Sequence, residues 1–306
     1  EVHTKQLDPA NRSNFRTTIE QYHNNDFLFT GLKKEEVILD NPGEKYIERI
    51  NIYNRKEIES GEVVPDGQEA CFGPYYPAIS KKIVNYYEGE STVQISTEKE
   101  FIHGKYGNIK QVNDLRNKAI AADDITTHIS YYDDITASYM DKRLLGLTNE
   151  VLVKHGSKLL RKRKADYDFS TGDLTSVKVY KGTTSFAETN ILYDIYGNIK
   201  RSLLPENYQG KRMSYTYSYD NVVNTYPEKI TDAFNYTSTT EYDFRIGKPV
   251  LTTDLTGNQV EYTYCNDGRL KTVRGPYEIE KGVPYLIKHE YSDMKYHDNN
   301  SPDSIP

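Results

Sequence analysis

The sequence predicts an all-β protein, a run of consecutive antiparallel hairpins forming a curved, open sheet. Three observations carry this. Tyr-Asp units followed by a glycine recur at near-regular intervals. Between them, residues alternate in character with a period of two, the period of a strand rather than a helix. Aromatic surface comes almost wholly from tyrosine: 28 Tyr and 9 Phe against no Trp, in a 306-residue chain that is only 36% hydrophobic.

The clearest unit is Tyr193-Asp194-Ile195-Tyr196-Gly197-Asn198-Ile199. Others are Tyr167-Asp168-Phe169-Ser170-Thr171-Gly172, Tyr242-Asp243-Phe244-Arg245-Ile246-Gly247-Lys248 and Tyr264-Cys265-Asn266-Asp267-Gly268-Arg269-Leu270. Tyr106-Gly107-Asn108-Ile109 is a weaker copy, and Tyr219-Asp220 begins a unit that lacks its glycine. The leading tyrosines at 167, 193, 219, 242 and 264 are 26, 26, 23 and 22 residues apart. That period belongs to repeat architectures; it is too short for a propeller blade and fits one hairpin per repeat.

Each unit reads as a turn with a mechanism. The tyrosine ends the incoming strand, the aspartate caps the turn through its side chain, and the glycine supplies the positive φ a tight turn needs. This assigns the turn chemistry to Tyr167, Asp168 and Gly172; to Tyr193, Asp194, Gly197 and Asn198; to Tyr242, Asp243 and Gly247; and to Tyr264 and Gly268.

Alternation is clean at Met213, Tyr215, Tyr217 and Tyr219, opposed by Ser214, Thr216 and Ser218, and at Val260, Tyr262 and Tyr264, opposed by Glu261 and Thr263. Cross-strand aromatic pairs then supply much of the side-chain energy. A fully buried tyrosine contributes at most ~4 kcal/mol by area, and its hydroxyl needs a partner or water. A thin or wet layer suits such residues better than a dry core.

Residues 1–100 are less regular, although Tyr46, Glu48, Ile50 and Ile52 alternate and 83–87 looks similar; they are expected to continue the same sheet. Residues 101–306 carry the degenerate repeats. The Gly/Pro-rich stretch from Pro65 to Pro77 reads as a loop, and a short helix could form around Lys33–Val37 or around Val112–Ala122. The chain starts at Glu1 and ends in a loop-like Ser301-Pro302-Asp303-Ser304-Ile305-Pro306, which suggests a piece of a larger protein.

Charge and motifs argue against several functions. A net charge of −6 with both signs interspersed does not suit nucleic acid. No apolar run reaches the ~18 residues of a membrane-spanning helix. The seven histidines are scattered; His289 and His297 could share a metal only with Glu290 or Asp293, and loose surface residues are the simpler reading. The doublets Asp123-Asp124 and Asp133-Asp134, read as strand residues, point to opposite faces and make no paired catalytic site. Arg161-Lys162-Arg163-Lys164 suggests an edge strand kept from pairing by its charge, or else a contact for an acidic partner. No nucleophile elbow, zinc-protease motif or phosphate loop is present. The expectation is therefore no enzyme, no cofactor and no metal. Cys71 and Cys265, the only cysteines, have a spacing that does not decide whether they are bridged. Exposed tyrosine stripes could also stack on sugar rings, so a carbohydrate- or cell-surface-binding module is the alternative reading.

These units resemble the YD-repeat, or Rhs-repeat, family, and more narrowly the repeat shell of B-type subunits of bacterial insecticidal toxin complexes. Residues 193–199 match the repeat closely. Tyr242 to Pro249, Thr252 to Asn258 and Tyr264 to Val273 resemble two consecutive repeats. Tyr132-Asp133-Asp134 leading to Leu144-Leu145-Gly146-Leu147, and Gly275-Pro276-Tyr277-Glu278 leading to Tyr291, look similar to that group. The resemblance runs from about residue 101 to 295. It departs at Tyr219, which lacks its glycine, and at Cys265, where aspartate is usual. It implies a β-ribbon shell that encloses or presents a C-terminal toxin or effector in a large secreted or surface bacterial protein. The partners it implies are flanking repeats of the parent chain and an enclosed toxin region or partner toxin subunit.

Overall fold

The computed structural model describes residues 1–7, 14–40, 43–65, 67, 73–135, 139 and 141–291. The chain is all-β: twenty strands in one open antiparallel sheet, not closed into a barrel. It divides into two compact units, residues 1–188 and 189–306.

The first unit carries β1 (Val2–Leu7), β2 (Asn14–Tyr22), β3 (Lys33–Leu39), β4 (Lys45–Glu57), β5 (Tyr75–Tyr86), β6 (Ile95–His103), β7 (Ile109–Asp114), β8 (Ile125–Tyr131), β9 (Thr148–His155), β10 (Lys158–Tyr167) and β11 (Leu174–Tyr180). A helical turn α1 (Tyr132–Ile135) follows β8, and β12 (Phe186–Tyr193) begins before the unit boundary. Each strand from β1 to β10 pairs antiparallel with its successor. Position 100 lies inside β6, so the change in regularity near that residue is no break in the sheet.

The second unit contains β13 (Ile199–Glu206), β14 (Arg212–Tyr219), β15 (Pro227–Asp232), β16 (Thr237–Asp243), β17 (Lys248–Thr253), β18 (Gln259–Tyr264), β19 (Leu270–Arg274), helix α2 (Pro276–Lys281) and β20 (Ile287–Lys288). From β12 to β20 the strands again form a sequential meander. Helix α2 starts with proline in its first turn after Gly275, whose N–H donates to Glu278, and stops at Gly282 in the left-handed region.

Few side chains are fully buried. Val37, Ala78, Tyr131 and Tyr139 are the buried apolar residues among those described, beside buried Glu48, Glu98 and Asp220. Most tyrosines are half-buried, as a thin sheet requires. The polar members find partners within the sheet: Glu98 is bonded by Lys81 at 2.9 Å and Lys118 at 2.6 Å, and Glu48 by Lys45, Asn85 and Tyr87.

Several local expectations are corrected. Lys33–Val37 and Val112–Asp114 are strand, not helix. Their backbones are paired on both sides, by β2 and β4 and by β6 and β8 respectively, and that pairing overrides the helix-forming Lys and Glu of β3. The expected loop at 65–77 ends earlier, because Tyr75–Pro77 already pair with Arg55–Glu57 in β4; positions 66 and 68–72 lie outside the described residues. Arg161–Lys164 is no edge strand. β10 is flanked by β9 and β11, and Lys162 and Lys164 meet Glu150 at 3.1 and 3.3 Å.

Candidate functional site

The recurrent chemistry of the chain sits at its hairpin ends. In the turn after β12, Asp194 Oδ1 accepts the N–H of Tyr196 at 2.8 Å and of Asn198 at 2.9 Å, while the Asp194 N–H donates to the Asn198 carbonyl. The same pattern returns at Asp254 with Thr256 and Asn258, at Asp232 with Phe234 and Tyr236, and at Asn207 with Gln209 and Lys211. Asp168 and Asp243 make shorter versions to Ser170 and Arg245. From β12 to β17 a side-chain-capped turn follows every strand, while the Tyr-Asp unit marks every second one. The hydroxyl of Thr256 and then the amide of Asn258 hold the Asp254 carboxyl down to about 2.

The unit without a glycine is the most fully bonded turn. Asp220 is 1% exposed. Its Oδ1 accepts from the N–H of Val222, Val223 and Asn224, and its Oδ2 from Thr225 and Tyr226, at 2.6 to 3.1 Å. Desolvation pushes its pKa up, but the amides of Tyr226, Val223, Thr225 and Val222 outweigh it and hold the carboxyl far below the usual range. Asn224 takes the positive φ, +53°, in place of glycine. The carboxylate organises a longer loop around itself and does the work the glycine does elsewhere.

Glycines 197 and 247 both need the left-handed backbone, with φ of +84° and +64°. A Cβ on Gly197 would meet nothing within 4 Å, whereas one on Gly247 would lie 2.4 Å from the Tyr226 hydroxyl. Gly197→Ala is expected to cost about 1 kcal/mol, the backbone penalty alone. Gly247→Ala adds displacement of Tyr226 from its stack on Tyr242 (centroids 4.9 Å apart) and is expected to cost at least about 2 kcal/mol. Urea midpoints of the two variants check this, and equal losses would contradict it.

The tyrosines do more than end strands. At Tyr131, Tyr167, Tyr193, Tyr219, Tyr242 and Tyr264 the register shifts by one residue, so that each faces the first residue of the next strand across a bulge, or for Tyr242 the second, Pro249. A bulge re-aims the side chain beside it. The hydroxyls then reach backwards: Tyr131 to the Ile109 carbonyl at 2.8 Å, Tyr219 to Ile199 at 3.0 Å, Tyr264 to Pro249 at 2.7 Å and Tyr291 to Leu270 at 2.8 Å, with a longer contact from Tyr242 to Pro227 at 3.5 Å. Tyr167 bonds the backbone of Thr148. Four of these acceptors face the preceding tyrosine, whereas Ile109 faces His103. Ile199 faces Tyr193 and is bonded by Tyr219; Pro227 faces Tyr219 and is bonded by Tyr242; Pro249 faces Tyr242 and is bonded by Tyr264; Leu270 faces Tyr264 and is bonded by Tyr291. Successive hairpins within each unit are thus linked by a tyrosine relay. The period in the sequence carried its positions; nothing there named the acceptors.

The remaining candidates disperse. Asp133 and Asp134 lie in α1, where Asp133 accepts from the Gly146 N–H and Asp134 pairs with Lys110 at 2.7 Å. Tyr132 stacks on Tyr139; burial and then Asp166 push its hydroxyl up to about 12. His289 stacks on Tyr291; His297 and Cys71 lie outside the described residues. Among the described residues no three His, Cys, Asp or Glu side chains are placed to hold a metal, and no helix is long and apolar enough to cross a membrane.

The sheet is thus a run of sequential hairpins with capped turns and backward-reaching tyrosines. Comparison with solved structures agrees at the level of fold. The chain superposes on the crystal structure of TcdB2-TccC3 without its hypervariable C-terminal region with a TM-score of 0.57 at 10% identity, over 81% of this chain and 16% of that one. The structures of TcdB2-TccC3 and TcdB2-TccC3-Cdc42 match with a TM-score of 0.54 each, at 10% and 11% identity, over 81% of this chain. The chain spans about one sixth of the length of these proteins. No family model and no curated protein sequence matches it. The fold resemblance expected from the Tyr-Asp units is thus present in the toxin-complex shell structures.

Proposed function

We propose that this chain is a structural YD/Rhs-repeat segment of a large secreted or surface bacterial protein, a portion of a β-shell that encloses or presents a toxin or effector region, with no catalysis of its own. The observation that carries this is the tyrosine relay, which spends the recurrent residues on holding hairpin to hairpin. The fold likeness to TcdB2-TccC3, one of whose forms is described by a hypervariable C-terminal region, supports it. The partners on this reading are flanking repeats and an enclosed region or toxin subunit. The test is limited proteolysis of the full-length parent protein. The region following the repeats is expected to resist protease until the shell is denatured; cleavage at the rate of the same region expressed alone would overturn the reading.

The open sheet has a consequence for the isolated chain. Terminal strands of an open sheet present unpaired N–H and C=O groups that template association, and every residue of β1 is exposed. Light scattering is expected to show concentration-dependent oligomers, and a clean monomer at all concentrations would count against an uncovered edge.

A further inference from the structure

The charged run Arg161–Lys164 of β10 divides between the two faces of the sheet, since successive strand residues point to opposite sides. Lys162 and Lys164 point to one face, where both meet Glu150 of β9. Arg161 and Arg163 point to the other, and both are exposed. There Arg161 lies opposite Val153, and Arg163 lies between Val151 of β9 and Val179 of β11. Thr127 and Ile129 of β8 continue that face beyond the valines. None of these neighbours carries a charge, and neither arginine has a carboxylate partner among the described residues.

Single exposed lysines recur across the sheet and need no explanation. A pair is different. Among the described strands, cations two residues apart occur only in β10, and the other such pair, Lys162 and Lys164, shares Glu150. Two like charges about 6.6 Å apart along one face repel. The chain carries a net charge of −6, so it has carboxylates to spare, yet none is set against these arginines. Lys181, exposed and two residues beyond Val179, adds a third cation at the end of β11. The result is a flat positive patch on an aliphatic floor, with Val179 itself 42% exposed.

We propose that this face docks an extended acidic peptide segment of a partner protein, with glutamates on alternate residues. Alternate residues of an extended segment are also about 6.6 Å apart. Two carboxylates in that relation therefore meet both guanidiniums at once, each able to form a bidentate pair. The glutamate methylenes then cover Val151, Val153 and Val179. No aromatic ring stands among these residues, so the patch gives a sugar ring nothing to stack on. The tyrosine relay and the capped turns use neither arginine, so this inference and the wall reading can each fail without the other.

The test is fluorescence anisotropy of the whole chain with a labelled peptide of about eight residues alternating glutamate and valine, long enough to span both arginines. A peptide alternating glutamine and valine is the neutral control, and a heparin-derived oligosaccharide probes for an anionic glycan. The glutamate peptide is expected to bind, more weakly as salt is raised, and the glutamine peptide not to bind. Joint Arg161→Gln and Arg163→Gln substitution is expected to weaken binding at least about tenfold. Joint Arg161→Lys and Arg163→Lys substitution should weaken it less, since an ammonium keeps the charge and loses the fork. Joint Lys5→Gln and Lys34→Gln substitution removes the same charge from exposed positions in β1 and β3 and should leave binding unchanged. Melting temperatures should hold throughout, because every substituted side chain is exposed. No binding of the glutamate peptide, equal binding of the glutamine peptide, affinity untouched by the arginine-to-glutamine pair, equal weakening by the lysine pair, or binding of the oligosaccharide alone would each overturn the proposal.

Discussion

Asp220→Ala is expected to lower the melting temperature by roughly 5–10 °C, more than alanine at any other turn aspartate, because five backbone donors lose a charged acceptor in one buried loop. The amides of Val222 to Tyr226 should lose hydrogen-exchange protection in the same variant. Asp220→Asn is expected to recover only part of the loss, since an amide retains one acceptor oxygen and turns a donor toward the N–H groups of Thr225 and Tyr226. The pH dependence has a definite sign. A carboxyl whose folded pKa lies below its unfolded value stabilises fully above the unfolded value, about 3.9, and that stability drains as pH falls toward the folded one. The wild-type advantage over Asp220→Ala should therefore be constant near neutrality and shrink below about pH 4. Asp254, held at about 2, adds a smaller decline of the same sign. Equal melting temperatures for wild type and Asp220→Ala would sink the account of this turn.

The second large effect belongs to Tyr131, 8% exposed and bonded to the Ile109 carbonyl. Tyr131→Ala is expected to cost about 3–5 kcal/mol, the range for truncating a buried aromatic. Tyr131→Phe keeps the ring and loses one hydrogen bond, so about 1 kcal/mol is expected. Chemical denaturation of both variants separates packing from the relay. A Phe variant as stable as wild type would mean that the hydroxyl contributes nothing, and the relay would reduce to ring packing.

Much of this architecture was legible in the residues. A period of two names strands, and Tyr-Asp followed by glycine names the turn after every second one, because both signals are local. The bulge opposite each tyrosine was not legible, because register is a relation between strands and a one-residue slip leaves composition unchanged. Helix-forming Lys33 to Val37 and the charged run at 161–164 misled for the same reason: their pairing partners decide their state, and those lie outside any short window. The missing glycine after Asp220 looked like decay of the repeat, yet the loop had lengthened around a carboxylate.

Each rung of the tyrosine relay has a direction in time. The acceptor carbonyl always precedes its tyrosine, by 15 to 22 residues. As the chain leaves the ribosome, each relay tyrosine therefore emerges to find its acceptor already made and its hairpin already closed. Short-range closure of this kind is fast. Along the relay the sheet can be laid down strand by strand, each hairpin docking on strands already finished, whereas Tyr76 and Tyr132 wait for the carbonyls of Gly104 and Ala165.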